Sequence, residues 1–190
     1  MNGDGAFWAP VADRLVGFEN VLVDWPGLGP VSASPKVHCI EDLVNLVHPL
    51  LDEPAALVAQ SMGSAVALRL ALDPSAKVSH LVLCATSGGL DVGALGAMDW
   101  RPAYRKRWPD APAWAFDPVE DISARLAGVE VPTLLLFASG DATSPVAAGR
   151  HLETLLPVAR LEVLEATEHS FANTLADEVA PLIEAHLRGA

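Results

Sequence analysis

The 190 residues suit a single domain able to bury its own core, and 51% of them are hydrophobic, as expected for a sheet covered on both faces. Twenty-four acidic against twelve basic residues give a net charge of -12, which argues against nucleic acid or an anionic membrane surface as partner. No run of about 18 or more uncharged apolar residues and no basic-then-apolar leader occurs in the sequence, and Cys39 and Cys84, the only two cysteines, read as buried reduced thiols of a cytoplasmic protein.

In chain order, Met1-Asn2-Gly3-Asp4-Gly5 leads into a helical pattern over Ala6 to Val16, and a strand pattern follows over Asn20 to Asp24. Trp25-Pro26-Gly27-Leu28-Gly29 reads as a turn. Helical spacing returns from Val37 to Leu51, a strand from Ala55 to Gln60, a helix from Met62 to Leu72 and a strand from His80 to Ala85. After an irregular stretch, a buried strand is expected over Thr133 to Ala138, a helix over Val146 to Leu156, a strand over Leu161 to Glu165 and a last amphipathic helix over Phe171 to Leu187. Strands alternating with helices, with Pro and Gly at the junctions, predict right-handed crossovers and a parallel sheet. Neither repeats nor a domain linker interrupts the pattern.

Three junctions carry chemistry. At Ala59-Gln60-Ser61-Met62-Gly63 a serine sits among small residues between an apolar strand and an Ala/Leu-rich helix, the setting of a nucleophile elbow. A serine that merely caps the helix is the alternative reading. Ser139-Gly140-Asp141 follows the strand ending at Ala138, and Ala166-Thr167-Glu168-His169-Ser170 follows the strand ending at Glu165. A serine, an acid and a histidine thus occur in that order, each just past the carboxyl end of a strand. In a parallel sheet those ends share one edge.

With these residues the chain resembles the α/β-hydrolase family, whose triad runs Ser, Asp/Glu, His. Val21-Leu22-Val23-Asp24-Trp25-Pro26-Gly27-Leu28-Gly29 is similar to the family's strand followed by an aspartate, a proline and a Gly-x-Gly turn, and Phe7-Trp8 ahead of Val11 to Leu15 to its first helix. The resemblance implies an α/β-hydrolase-like parallel sheet of about five strands with helices on both faces, formed by residues 1–190 as one domain, with a short cap at about residues 86–130. It also implies Ser61 as nucleophile, Asp141 as acid and His169 as base, with Asp24 structural. Ala59 stands where the family most often has glycine.

The chain also starts at or just beyond the family's histidine-glycine stretch, whose following residue gives one oxyanion N–H. The resemblance therefore implies a central strand, missing here, between Val21–Asp24 and Ala55–Gln60. Two outcomes are expected: the protein continues upstream of Met1, which is the favoured one, or the two flanking strands pair directly. The oxyanion hole is expected from the Met62 N–H together with Asn2, or Gly3 if the first loop folds back over Ser61.

Residues 86–130 hold Trp100, Tyr104, Trp108 and Trp114, with Arg101, Arg105, Lys106 and Arg107 interleaved. Two readings compete here: an aromatic lid that walls a substrate pocket, or a helix laying aromatics on the sheet while its charges stay in water. The basic cluster is either a solvated face or a means of steering an anionic substrate. His38, His48, His80, His151 and His186 lack the paired spacing of a helical metal site, and no dinucleotide or phosphate loop occurs, so no metal and no cofactor are expected.

The function expected is hydrolysis of a small carboxylic ester, thioester or lactone by a carboxylesterase-like serine hydrolase. The protein would be cytoplasmic and a monomer or homodimer, with a small-molecule ester substrate and neither nucleic acid nor membrane as partner. Two alternatives stand beside it: a non-catalytic or shortened hydrolase-fold protein, and the same triad used for carbon–carbon bond hydrolysis, perhydrolysis or cyanohydrin cleavage. An aspartate at the elbow would mark epoxide hydrolases and haloalkane dehalogenases of this fold, so Ser61 argues against them.

Overall fold

A computed structural model describes residues 3–189. Four parallel strands, β1 (Ala55–Gln60), β2 (Val78–Cys84), β3 (Thr133–Ala138) and β4 (Ala159–Leu164), form one sheet in the order β1-β2-β3-β4. The helices are α1 (Ala9–Ala12), α2 (Ile40–Val47), α3 (Met62–Ala71), α4 (Arg101–Arg107), α5 (Val146–Leu155), α6 (Phe171–Thr174) and α7 (Ala176–Leu187). Short 3₁₀ turns lie between them, four of them at Gly5–Trp8, Val92–Leu95, Ala113–Phe116 and Ser123–Gly128. Among the described residues no helix is long and apolar enough to cross a membrane.

The period of two in the central strands divides the core. Val82, Cys84, Leu134, Leu136 and Ala138 meet Val11 and Leu15 of the first segment, Phe171 of α6 and Val179 and Ile183 of α7. Leu81, Leu83, Leu135 and Phe137 meet Ala67 and Leu68 of α3 and Ala148 and Leu152 of α5 on the opposite face. β3 is buried along its whole length, so its reading as a continuous apolar strand rather than an alternating one follows from cover on both sides.

One expected strand does not form. Residues 20–24 form no regular element and carry no ladder, which makes the sheet four-stranded rather than about five-stranded. β1 is an edge, and a cavity of about 690 Å³ is lined by Val21, Leu22 and Val23 on one side and by Ala56 to Gln60 of β1 on the other. Direct pairing of the two segments, one of the two expected outcomes, is therefore not what occurs. Val21 is 67% exposed, the reverse of a central-strand residue.

Other expectations shift locally. Cys39 is exposed at the start of α2, where an extended backbone precedes the helix, whereas Cys84 is buried and its thiol is pushed up by that burial. His186, on the last helix, is buried on α7, where its ring bonds the Leu81 carbonyl at 3.0 Å. The predicted last helix divides into α6 and α7 at Leu175.

Gly149 in α5 sets how closely that helix approaches the sheet. A Cβ there would lie 2.8 Å from the Phe137 ring and 2.9 Å from Leu161. Helix propensity favours Gly→Ala by about 1 kcal/mol, but overpacking of a filled core costs about 1–3 kcal/mol. The balance is a loss of up to about 2 kcal/mol, so Gly149→Ala is expected to lower stability in urea unfolding. A gain in stability would show that the helix can back away freely. In hydrogen exchange, the β1 amides directed away from β2 are expected to exchange faster than those of β2 and β3, which have neighbours on both sides.

Candidate active site

Ser61 links β1 to α3 with φ 53° and ψ -119°, a conformation strongly disfavoured for a residue with a Cβ. Such a backbone costs about 1–3 kcal/mol and persists only where its surroundings over-determine it. Here the Ser61 N–H continues the ladder to the Cys84 carbonyl at 2.9 Å, and the Ser61 carbonyl accepts from the Ser64 N–H at 3.0 Å as the helix begins. The seven residues after Gly63 are all buried in α3, so the turn is anchored on both arms.

The expected acid and base, Asp141 and His169, lie in the loops after β3 and β4. Gly140 lets these loops touch: its N–H donates to the Ala166 carbonyl at 2.8 Å, and a Cβ at Gly140 would lie 2.9 Å from Thr167. Across this contact His169 Nδ1 meets Asp141 Oδ2 at 2.7 Å. The other carboxylate oxygen, Oδ1, accepts from the Thr143 N–H at 2.8 Å. Asp141 is 4% exposed, so each oxygen of a buried carboxylate has a donor. His169 Nε2 is buried and has no hydrogen-bond partner among the described residues. Ser61 and His169 line the same cavity.

Gln60, the residue before the serine, was not singled out by its sequence. Its Nε2 donates to the His169 backbone carbonyl at 2.8 Å, tying the base loop to the end of β1. Its position at a strand end next to the nucleophile was the one available signal. Asp24, expected to be structural, accepts from the Gly5 N–H at 2.7 Å, and the Trp25 N–H donates to the Gly3 carbonyl at 2.8 Å. These bonds bring Gly3 and Asp4 into the lining of the cavity that holds Ser61.

Of the remaining expected site residues, Met62 opens α3 and lines the cavity, and so do Trp100, Tyr104 and Trp108. Trp114 does not belong to that lining; it packs on the cluster of Val37, Leu43, Val47 and Val66, and its neighbour Ala115 faces the cavity instead. Asn2 lies outside the described residues. Trp100, Tyr104 and Phe116 form an aromatic group, with Trp100 and Tyr104 edge to face at 5.5 Å, and burial pushes the Tyr104 phenol up. Among the described residues no group of three or more His, Cys, Asp or Glu side chains is placed to hold a metal ion.

The family profile described as alpha/beta hydrolase fold matches residues 1–117. The chain belongs to the α/β-hydrolase fold family. A pimeloyl-[acyl-carrier protein] methyl ester esterase of Neisseria meningitidis serogroup A is 28% identical over 211 aligned residues, which span 88% of this chain and 67% of that protein. Among solved structures, MenH from S. aureus superposes with a TM-score of 0.81 at 19% identity, covering 100% of this chain and 91% of that one. The enol-lactonase from Burkholderia xenovorans LB400 gives a TM-score of 0.78 at 22% identity, covering 99% and 88%.

The strain at Ser61 can be measured directly. Ser61→Gly and Ser61→Ala both remove the hydroxyl, but only glycine relieves the Cβ. After subtracting glycine's larger loss of backbone freedom, the glycine variant is expected to be about 1 kcal/mol more stable than the alanine variant in chemical denaturation. Equal stabilities would mean that the turn is not strained.

Proposed function

We propose that this protein is a serine hydrolase that cleaves a small carboxylic ester through an acyl-enzyme on Ser61. The observation that carries the proposal is the bond of 2.7 Å between His169 Nδ1 and the buried Asp141 carboxylate, beside a strained serine in the same cavity. Kinship with a protein named as an esterase supports the same chemistry.

Asp141 accepts a hydrogen bond from His169 Nδ1–H, which fixes the tautomer and leaves Nε2 as the basic nitrogen. Nε2 takes the proton from Ser61 Oγ as Oγ attacks the ester carbonyl, and the imidazolium then protonates the departing alcohol. Water, deprotonated by the same nitrogen, releases the acid and restores Ser61. The Met62 N–H, at the start of α3, is the oxyanion donor on the elbow side; the second donor belongs to the first loop, at Asn2 or Gly3. Each such donor is worth about 10²–10³ in rate. Trp100, Tyr104 and Trp108, carried by the segment between β2 and β3, act as a short lid over the acyl or alcohol group. The enzyme works in this reading without metal or cofactor, in the cytoplasm, as a monomer or homodimer.

A fluorophosphonate probe tests the nucleophile without knowledge of the substrate. Intact mass is expected to register one phosphonate on the parent chain and none on Ser61→Ala or His169→Ala. Asp141→Asn keeps the shape but must turn an amide N–H toward either the Thr143 N–H or the His169 ring, and is expected to slow labelling by about 10³–10⁴. A folded parent that takes no label would sink the proposal.

A further inference from the structure

The cavity beside Ser61 also contains a cation that no carboxylate answers. Four of the twelve basic residues fall within α4, in a chain of net charge -12. Three of the four differ in what they do. Arg101 is engaged by the Phe116 carbonyl at 3.1 Å and by Asp99 at 3.2 Å. Arg105 lies over the Phe116 ring at 4.4 Å, and its charge helps hold the Asp99 carboxyl low. Arg107 lines the cavity with Trp100, Tyr104 and Trp108, 5.5 Å above the Trp108 ring, and forms no ion pair among the described residues.

Two acidic side chains share that cavity, and neither neutralises Arg107. Asp4 spends an oxygen on the Ala6 N–H at 2.8 Å, within its own turn. Glu19 is exposed and stands with Asn20 to Val23 beside β1. Arg107 and Trp108 are both exposed at the cavity rim, where the guanidinium presents a planar fork of donors beside the indole. Its matching ligand is a carboxylate, which it can meet with two parallel hydrogen bonds.

We infer that the cavity takes an ester that carries a free carboxylate, held by Arg107 while the ester carbonyl meets Ser61. The inference rests on the serine-hydrolase proposal for the reaction itself. In chemical terms the substrate class is the half-ester of a dicarboxylic acid: water cleaves the ester, the alcohol leaves with a proton, and a dicarboxylate is the acid product. Arg107 is a specificity determinant here, acting on recognition rather than on the reacting bond.

Two matched probes test it, 4-nitrophenyl hemiadipate and 4-nitrophenyl hexanoate, which differ mainly in a terminal carboxylate in place of a methyl group. The parent is expected to favour the charged ester in kcat/KM by about tenfold, mainly through KM, and added salt should narrow the preference. Arg107→Gln is expected to abolish the preference and Arg107→Lys to restore part of it, because lysine keeps the charge and loses the fork. Arg105→Gln, which does not line the cavity, should keep the preference. Equal treatment of the two esters by the parent, or loss of the preference in Arg105→Gln as readily as in Arg107→Gln, would overturn the inference and leave the hydrolase proposal standing.

Adipate binding, followed by tryptophan fluorescence, separates the two proposals. Saturable binding that Arg107→Gln removes, in a protein that turns over neither ester, would support the anion site while the hydrolase reading fails. Absence of adipate binding together with equal KM values rejects the site.

Discussion

The whole site hangs on one uncomfortable residue. Ser61 occupies a backbone conformation that its own Cβ opposes, and it stays there because the ladder bond to Cys84 and the buried start of α3 leave it no alternative. A serine that merely capped a helix would adopt an extended backbone and turn its oxygen back onto the helix N–H groups. Ser61 makes no such side-chain cap. The strain therefore separates a nucleophile position from the ordinary helix-capping alternative more sharply than the identity of the residue does.

The acid-base half of the site depends on a different constraint, the closeness of two loops. Glycine at 140 permits a backbone contact that any side chain would obstruct, and that contact places Asp141 and His169 on either side of a bond of 2.7 Å. Gln60 then fastens the histidine loop to the strand that leads into Ser61. Ser61, Asp141 and His169 are thus linked through backbone as well as side chains. This matters because a base misplaced by an ångström loses much of its catalytic advantage.

Where the apolar pattern is strong, sequence alone reads well: β1 and β3 run over the predicted residues, and Ser61, Asp141 and His169 lie just past the ends of three strands. Those segments are decided by local apolar pattern, which tertiary context reinforces. The misreadings share one cause, dependence on a partner that the pattern does not reveal. Residues 20–24 have a strand's composition, but a strand requires a ladder, and no ladder partner lies beside them. Cys39 and Trp114 were both placed by the character of their segment, whereas burial at a helix end and in a 3₁₀ turn is set by what packs there. Arg107 could not be told from its basic neighbours until the helix face toward the cavity was known.

The same open edge of β1 divides the site into two parts of unequal support. Asp141, His169 and Ser61 follow β3, β4 and β1, all strands of the hydrogen-bonded sheet, with β1 and β4 as its two edges. Gly3 and Asp4, by contrast, reach the cavity through bonds to Asp24 and Trp25, which sit in the segment that has no ladder. The Asp141–His169 bond thus has strands of the sheet behind it, while Gly3 and Asp4 are held by two bonds to a segment without a ladder. Stabilisation of a developing oxyanion requires donors fixed before the charge appears. Under the proposed mechanism, the rate of acyl transfer would then be governed by how firmly the first loop is held against the turn at Ser61.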